Sequence, residues 1–370
     1  MSTQSSDTKR RRKVDGSFWK GRSVFITGHT GFKGSWLSYI LTSLGAKVTG
    51  YSLNPPTTPS LFEEAGLAEI LHSSVIGDIR DRDSLTSAVR SAKASVCFHL
   101  AAQPIVLSSY QDPVYTFDVN VTGTAAFLDA VRACPEVRST IVITSDKCYE
   151  NKEWCWSYRE SDTLGGYDPY SNSKACAELV CDSFRNSFFH PSKHQEHKVV
   201  LASTRAGNVI GGGDWAPYRL VPDIIRALTS NSTLQIRNPG AVRPWQHVLE
   251  PIVGYITLAQ AMSDDIRYGT PFNFGPREDA VRTVGELARE FQKHISLTIE
   301  LEESTQKAHE ANFLTLDCSK AATVLPWSPV LSFEQTIEMT ATWYSRWKNG
   351  TSARELLSTQ AKIYLDAFNA

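Results

Sequence analysis

The feature that most constrains the fold is a short apolar segment followed directly by three glycines. Ser23–Thr27 has the composition of a buried strand, and Gly28, Gly31 and Gly34 follow it at once. Glycines between a strand and a helix let the backbone approach a pyrophosphate, whose charge the helix N-terminus stabilises. The spacing is GxxGxxG, whereas most dinucleotide-binding folds have GxGxxG. A plain structural turn also fits three glycines, but the position after the first strand favours a phosphate-binding loop.

Apolar segments alternate with helical patterns as far as residue 204. The predicted strands after the first are 47–51, one ending at 75–76, 95–100, 140–144 and 198–204, and the predicted helices include 36–44, 118–133 and 169–189. This alternation predicts an α/β fold of the Rossmann type, with a doubly wound parallel sheet. Beyond residue 205, glycines and prolines interrupt the pattern, which predicts a smaller mixed α/β C-terminal substrate lobe. We assign 18–204 to an NAD-binding domain to which 246–277 returns, and 205–245 and 278–370 to the substrate lobe.

Composition limits the partners that the chain can bind. With 38 basic and 39 acidic residues, the protein has no excess charge with which to capture nucleic acid or an anionic membrane. The seven cysteines show neither CxxC pairs nor zinc-ligand spacing, which favours a reducing cytoplasm and predicts no metal site. No apolar run approaches the roughly 18 residues that span a bilayer. Residues 1–17 are polar and contain a basic run at 9–13, which predicts a disordered leader, although a nuclear address or nucleic-acid arm has the same pattern.

The YxxxK pattern occurs twice. Tyr170 and Lys174 follow the predicted fifth strand, in a helix whose predicted cap is Asp168. Residues four apart share a helix face, so Lys174 is expected to lower the pKa of Tyr170 from about 10 and make it a base. The second pair, Tyr344 and Lys348, has no strand or phosphate loop before it, and we interpret it as part of a surface helix.

Three polar residues follow the fifth strand, where ligands bind in open α/β sheets. They are Ser145, Asp146 and Lys147. Ser145 is expected to donate a hydrogen bond to the substrate hydroxyl that Tyr170 deprotonates. A capping serine beside a solvated Asp–Lys pair is the alternative interpretation.

The end of the second strand lacks the acid that usually binds the adenine ribose. Ser52 lies there with no arginine nearby, and a 2′-phosphate would require one, so NAD is favoured over NADP. Asp78 is expected to contact adenine, although it also suits a helix cap. The predicted cofactor-binding residues are Gly28, Thr30, Gly31, Phe32, Lys33, Gly34, Ser52, Asp78, Ile79, Leu100, Ala101, Ala102, Gln103, Asn120, Thr144, Tyr170 and Lys174.

The glycine loop and the first YxxxK motif resemble the extended short-chain dehydrogenase/reductase family, which includes nucleotide-sugar dehydratases and epimerases. Five blocks are similar to the branch of that family that dehydrates CDP-linked sugars, namely 28–34, 145–154, 167–174, 208–215 and 243–251. The glycine and YxxxK motifs mark only the superfamily. The Asp146–Lys147 pair is more specific, because the related dTDP-glucose dehydratases carry Asp-Glu there. The resemblance implies CDP-glucose as substrate, NAD as cofactor, and a homodimer formed by the helices 118–133 and 169–189.

The resemblance also implies a chemistry. Tyr170 would take the proton of the sugar's 4-hydroxyl while NAD accepts hydride from C4 and later returns it to C6. Between these steps, a protonated Asp146 would donate to the departing 6-hydroxyl, and an uncharged Lys147 would remove the C5 proton. A 4-epimerase or simple oxidoreductase that uses only Tyr170 and Lys174 is the alternative, and a non-catalytic NAD-binding protein is disfavoured because these residues are present.

A nucleoside diphosphate requires local positive charge in a protein that has almost no net charge. Arg243 is the best candidate, because a guanidinium binds phosphate oxygens in a fork. By the resemblance, Asn208 would contact the sugar or its phosphates, and Asn120 would anchor a backbone kink or a water. Packing is an equally good role for Trp245 and His247, and a surface position is favoured for Arg219. The predicted substrate-binding residues are Gln103, Asn208, Arg219, Arg243, Trp245, His247 and His309.

Overall fold

A computed structural model describes residues 11–236, 238–296, 298–301 and 313–370. The strands are β1 Ser23–Thr27, β2 Lys47–Ser52, β3 Ser73–Ile76, β4 Val96–His99, β5 Ser139–Ile143, β6 Val200–Ala206, β7 Val209–Ile210, β8 Leu234–Ile236, β9 Val242–Pro244, β10 Gln246–His247, β11 Phe272–Phe274, β12 Val281–Thr283 and β13 Ile299–Leu301. The helices are α1 Gly16–Trp19, α2 Phe32–Ser43, α3 Leu61–Glu64, α4 Arg82–Ala92, α5 Val106–Gln111, α6 Pro113–Phe117, α7 Gly123–Arg132, α8 Pro169–Ser187, α9 His194–His197, α10 Leu220–Ser230, α11 Leu249–Asp264, α12 Val284–Gln292, α13 Ser319–Val324, α14 Phe333–Lys348 and α15 Ala353–Asn369.

Within these residues a parallel sheet of seven strands forms the centre of the molecule, in the order β11-β6-β5-β4-β1-β2-β3. Successive side chains of a strand point to opposite faces of the sheet, and here both faces are covered by helices. Val24 and Ile26 pack with α2 and α11, whereas Phe25 packs with helices on the other face, including α7. The predicted Rossmann-type fold class is confirmed.

The strand order reverses between β1 and β4, where the chain crosses back after β3. The carboxyl ends of these two strands lie side by side, since Leu100 N donates to Thr27 O at 3.1 Å. Gly28 N likewise donates to Tyr51 O at 2.9 Å, at the end of β2. This switch point is where ligands bind in open α/β sheets. The glycine loop therefore lies at the edge of the sheet that is suited to a cofactor.

The C-terminal half adds to both parts of the molecule. β11 pairs with β6 and so extends the central sheet, while β7–β10, β9–β12 and β8–β13 form small two-stranded pairs. The last helix, α15, packs against α2 and α3. Residues of α14, α15 and the sheet share one apolar core. This shared core does not mark a boundary between two domains, and the domain boundaries given above remain a prediction.

The start of the chain and one helix depart from the sequence predictions. Ordered structure includes residues 11–17, which were assigned to the disordered leader: Val14 is buried, Asp15 caps α1, and Arg12 forms an ion pair with Asp264. Residues 1–10 lie outside the described part. The predicted helix 118–133 consists of a π-helical turn, Asp118–Thr122, followed by α7. In the part of the chain that the structure covers, no helix is long and apolar enough to cross a membrane.

Candidate active site

A cavity of about 2130 Å³ opens at the carboxyl edge of the sheet and brings the predicted motifs together. The predicted site residues that line it are Gly28, Thr30, Gly31, Phe32, Lys33, Gly34, Ser52, Asp78, Ile79, Leu100, Ala101, Ala102, Gln103, Thr144, Ser145, Asp146, Lys147, Tyr170, Lys174, Asn208, Arg219, Arg243 and Trp245. Asn120 and His247 do not line it, and His309 lies outside the described residues. One cavity therefore holds both the phosphate-loop glycines and the candidate acid–base groups.

The glycine loop packs too closely for side chains. Gly28 has a φ of +75°, and a Cβ there would lie 2.7 Å from the backbone nitrogen of Ala101. A Cβ at Gly34 would lie 2.0 Å from the carbonyl oxygen of Gly28. Gly31 caps α2, and the first turn of this helix lines the cavity. The bare backbone at a helix N-terminus fits a pyrophosphate.

Hydroxyl groups lie where a ribose-binding acid would be expected. Thr30 Oγ1 lies 2.9 Å from Ser52 Oγ and donates to Leu53 O at 2.9 Å. Asp78 lines the cavity, but its carboxylate is paired with Arg80 at 2.7 Å. The cap of α4 is Asp81 rather than Asp78. The alternative interpretation of Asp78 as that helix cap is therefore wrong.

The first YxxxK pair begins α8, which Asp168 caps as predicted by accepting from Ser171 N at 2.9 Å. Tyr170 and Lys174 are both buried at the cavity. Burial raises the pKa of Tyr170 to about 12, although a hydrogen bond with Ser145 opposes this. Burial also lowers the pKa of Lys174 to about 8. The predicted lowering of the tyrosine pKa is therefore wrong for this structure, because desolvation of the phenolate outweighs the Ser145 hydrogen bond and the charge of Arg219, which act to lower the pKa.

The residues after β5 place a buried carboxyl group beside a serine. Ser145 Oγ donates to Asp146 Oδ1 at 3.0 Å and accepts from Lys147 N at 3.2 Å. Burial raises the pKa of Asp146, while the charge of Lys147 and the Ser145 hydrogen bond oppose this shift. A carboxyl group that keeps its proton more readily is suited to act as an acid. The alternative of a solvated Asp–Lys pair is wrong for Asp146, which is 6% exposed.

Gly207 makes room for that carboxyl group and was missed in the sequence. A Cβ at Gly207 would lie 2.7 Å from Asp146 Oδ2. The residue lies just beyond the end of β6, beside Asn208, and it lines the same cavity. Its position between a predicted strand and a polar residue was the available signal, since glycine often marks a close approach of the backbone.

A buried ion pair beneath the site was also missed. Glu178 lies one helical turn after Lys174, and its Oε2 accepts from Arg205 Nη2 at 2.8 Å and from Ser203 Oγ at 2.7 Å. Its Oε1 accepts from Thr144, the residue before Ser145. Both members of the pair have side chains that are 2% exposed. The signal in the sequence was an acid at the fourth position after Lys174, on the same helix face.

Two predicted site residues have structural roles instead. Asn120 lies in the π-helical turn, where it accepts from Gln103 N at 2.8 Å and donates to Ser173 Oγ at 2.8 Å. It therefore joins the π-helical turn to Gln103 and to α8 beside the cavity and does not line the cavity. His247 is fully buried, and its ring packs edge-on against Trp36. The predicted contact of His247 with substrate is wrong, because the short strand β10 turns its side chain into the core.

The second YxxxK pattern is not confined to the surface. Tyr344 is 1% exposed, and its hydroxyl donates to Asp214 O at 2.6 Å and accepts from Asp214 N at 2.8 Å. Asp214 in turn pairs with Arg219 at 2.9 Å. The interpretation of this segment as a surface helix is wrong for Tyr344. The favoured surface position of Arg219 is also wrong, because its side chain lines the cavity.

Sequence comparison relates the chain to nucleotide-sugar dehydratases. Residues 25–340 match the family model described as GDP-mannose 4,6 dehydratase. A CDP-glucose 4,6-dehydratase from Salmonella typhimurium is 48% identical over 359 residues, which cover 96% of this chain and 99% of that protein. A dTDP-glucose 4,6-dehydratase from Xanthomonas campestris is 25% identical, with 86% of this chain and 92% of that protein covered.

Solved structures show the same fold at lower identity. A dTDP-glucose 4,6-dehydratase from Bacillus anthracis, in complex with NAD, has a TM-score of 0.72 and 21% identity, covering 89% of this chain and 98% of that one. A UDP-glucose 4-epimerase from Stenotrophomonas maltophila with bound NAD has a TM-score of 0.75 and 19% identity, covering 89% of this chain and 100% of that one. The family model and the Salmonella relative establish the relationship, and the chain belongs to the GDP-mannose 4,6-dehydratase family of enzymes.

Proposed function

We propose that this protein is a CDP-glucose 4,6-dehydratase, which converts CDP-D-glucose to CDP-4-keto-6-deoxy-D-glucose. The observation that carries the proposal is the Asp146–Lys147 pair beside Tyr170 in one cavity. The relative that is 48% identical along almost the full length of both chains bears the name of this activity. Elimination of water next to a ketone requires a proton donor and a base, and a buried acid beside an amine can supply both.

NAD fits the residues at the carboxyl edge of the sheet. The glycine loop, at which a Cβ on Gly28 or Gly34 would meet backbone atoms, suits the pyrophosphate, and Ser52 and Thr30 offer hydroxyls to the adenine ribose. When bound, NAD supplies the hydride acceptor for sugar C4 and the hydride donor for C6. Arg80 is paired with Asp78 and Asp118, so its charge is already balanced by carboxylates. This pairing supports NAD over NADP.

The side chains around the cavity divide the proton transfers between them. Tyr170 takes the proton of the 4-hydroxyl, with Ser145 as hydrogen-bond partner and Lys174 as a neighbouring cation. Asp146 delivers a proton to the departing 6-hydroxyl, which its raised pKa favours. Lys147, at the cavity wall, removes the C5 proton. The substrate's phosphates bind Arg219 and Arg243, which line the same cavity.

We also propose that the protein is a cytoplasmic homodimer. Apolar side chains lie exposed in one of the two predicted interface segments, 169–189, where Leu179 is 57% exposed and Phe188 is 43% exposed; Tyr110 on α5 and Val114 on α6, just before the other segment, are 53% and 77% exposed. The seven cysteines include no disulfide among the described residues, which is consistent with a reducing compartment. Equilibrium sedimentation, with Leu179→Glu as the test variant, measures the assembly directly.

The experiment that tests the function is an assay of the purified protein with CDP-, dTDP-, UDP- and GDP-linked hexoses, followed by mass spectrometry. CDP-glucose is expected to lose the mass of one water without net formation of NADH. A product of unchanged mass would instead identify an epimerase. Loss of water from another nucleotide sugar, but not from CDP-glucose, would contradict the proposed substrate.

A variant tests the role of Lys147. Lys147→Ala is expected to lower turnover by about 100-fold or more, because the C5 proton loses its base. Oxidation at C4 should continue, so that reduced nicotinamide accumulates and is visible by its absorbance. Lys362→Ala, an exposed lysine on α15, is the matched control. Full activity of Lys147→Ala would remove this role.

A further inference from the structure

The loop Gly211–Asp214 is held against α14 by an unusually close fit. Tyr344 on α14 bonds the backbone of Asp214 through both N–H and C=O, and its hydroxyl oxygen also lies 3.3 Å from Gly211 O. A Cβ at Gly212 would lie 2.0 Å from the indole ring of Trp343. Gly213 has a φ of +88°, which favours glycine. The position of the loop backbone is therefore fixed by its contacts with Trp343 and Tyr344 on α14.

The side chain of Asp214 points from this loop towards the cavity. It is 3% exposed, and its Oδ2 pairs with Arg219 Nη1 at 2.9 Å while its Oδ1 accepts from Ala216 N at 3.0 Å. A buried carboxylate is costly unless it is paired and hydrogen-bonded, so this contact also favours one position of Arg219. Arg219 lies directly before α10, and its side chain is 34% exposed at the cavity.

The charge of Arg219 acts on two groups that line the cavity, Tyr170 and Lys33. This charge acts to lower the pKa of Tyr170, against the larger effect of burial, and it adds to the effect of burial in lowering the pKa of Lys33 to about 8. Two cations that face one cavity repel each other, and the carboxylate of Asp214 offsets this repulsion. The same carboxylate makes the largest contribution to raising the pKa of Arg219.

We infer that Asp214 and Tyr344 are positioning residues that hold Arg219 ready for the diphosphate of the nucleotide sugar. Asp214 contacts only one edge nitrogen, Nη1, of a group with five N–H donors, so Arg219 can bind phosphate oxygens while it stays paired. Holding a long side chain in its binding position reduces the entropy that ligand binding must overcome. This inference rests on the proposed function for the identity of the ligand.

The test measures binding of CDP by calorimetry, which needs no turnover and therefore separates this inference from the dehydratase proposal. Tyr344→Phe removes one hydroxyl, and Asp214→Asn removes the charge. Each is expected to weaken CDP binding by about three- to tenfold. In kinetics with CDP-glucose, KM should rise by a similar factor while kcat stays within about twofold. Tyr364→Phe, another buried tyrosine of the C-terminal helices, is the matched control and should bind CDP normally.

A double substitution distinguishes positioning from general loosening of the fold. If Asp214 acts through Arg219, then Asp214→Asn should weaken CDP binding no further in an Arg219→Gln background. Equal weakening by Asp214→Asn with and without Arg219 would overturn the inference. Wild-type affinity of both Tyr344→Phe and Asp214→Asn would overturn it as well. If wild-type protein binds CDP but dehydrates no CDP-hexose, the proposed function fails while this test remains decisive.

Discussion

Glu178→Gln, in the buried pair of Glu178 and Arg205, is predicted to lower the free energy of unfolding substantially. Glu178→Gln keeps the shape of the side chain but leaves the guanidinium of Arg205 with no opposite charge at 2% exposure. Removing one partner of a buried ion pair costs about 3–5 kcal/mol of folding free energy. Arg205 also donates to Tyr149 Oη at 2.8 Å and to Glu160 O at 3.1 Å, and these contacts place the expected loss near the lower end, at about 3 kcal/mol.

The assay is urea unfolding followed by circular dichroism at pH 7, with recovery checked after dilution. Glu355→Gln is the matched control, because Glu355 pairs with Arg346 at 3.0 Å on the surface, where an ion pair contributes about 0–1 kcal/mol.

The contribution of the Glu178–Arg205 pair to stability should also depend on pH. Burial acts to raise the pKa of Glu178, but Arg205, Thr144 and Ser203 together leave it lowered. The stability it contributes is therefore present above the usual glutamate pKa of 4.5 and is lost as the pH falls through the lower folded value.

Two results would refute this reasoning. The first is a loss in Glu178→Gln no larger than that in Glu355→Gln. The second is a difference between wild type and Glu178→Gln that grows as the pH falls below the usual glutamate pKa. Either would mean that solvent or other groups, rather than Glu178, balance the charge of Arg205.

Three further predictions follow from the same structure. Gly34→Ala should abolish NAD binding, measured by calorimetry, because the Cβ of the new alanine would lie 2.0 Å from Gly28 O. Normal affinity for NAD would contradict the close packing of the glycine loop. Asp146→Asn cannot donate a proton and should lower product formation by about 100-fold or more while NAD binding is retained. Burial raises the pKa of Glu250 from 4.5 to about 7, so wild-type stability should fall by about 3 kcal/mol as the pH rises between these values. Glu250→Gln should remove that fall in urea unfolding, and an unchanged pH profile would show that Glu250 is not its source.

Much of the site followed from local patterns in the sequence. The glycine loop, Ser145–Lys147 and Tyr170 each lie just after a predicted strand or at the start of a predicted helix. Parallel strands bring their carboxyl ends to one edge, so residues at those ends meet whatever the details of packing. The lining of one cavity by these residues agrees with that argument. The roles assigned to the individual residues remain predictions.

Other features depend on contacts that no local pattern encodes. Tyr344 reaches Asp214 across 130 positions of the chain, and Glu178 reaches Arg205 across 27. The side chain of His247 turns into the core because β10 pairs with β7. Burial, which raises the pKa of Tyr170, also comes from the packing of surrounding elements.

The sequence by itself determined the parallel α/β sheet and the edge at which its polar motifs gather, because strand periodicity and glycine spacing act over a few residues. Only the tertiary structure decided which of those side chains are buried and which partner each one meets. Burial and pairing depend on how α8, α14 and the sheet dock, and the free energy of that docking is distributed over residues far apart in the chain.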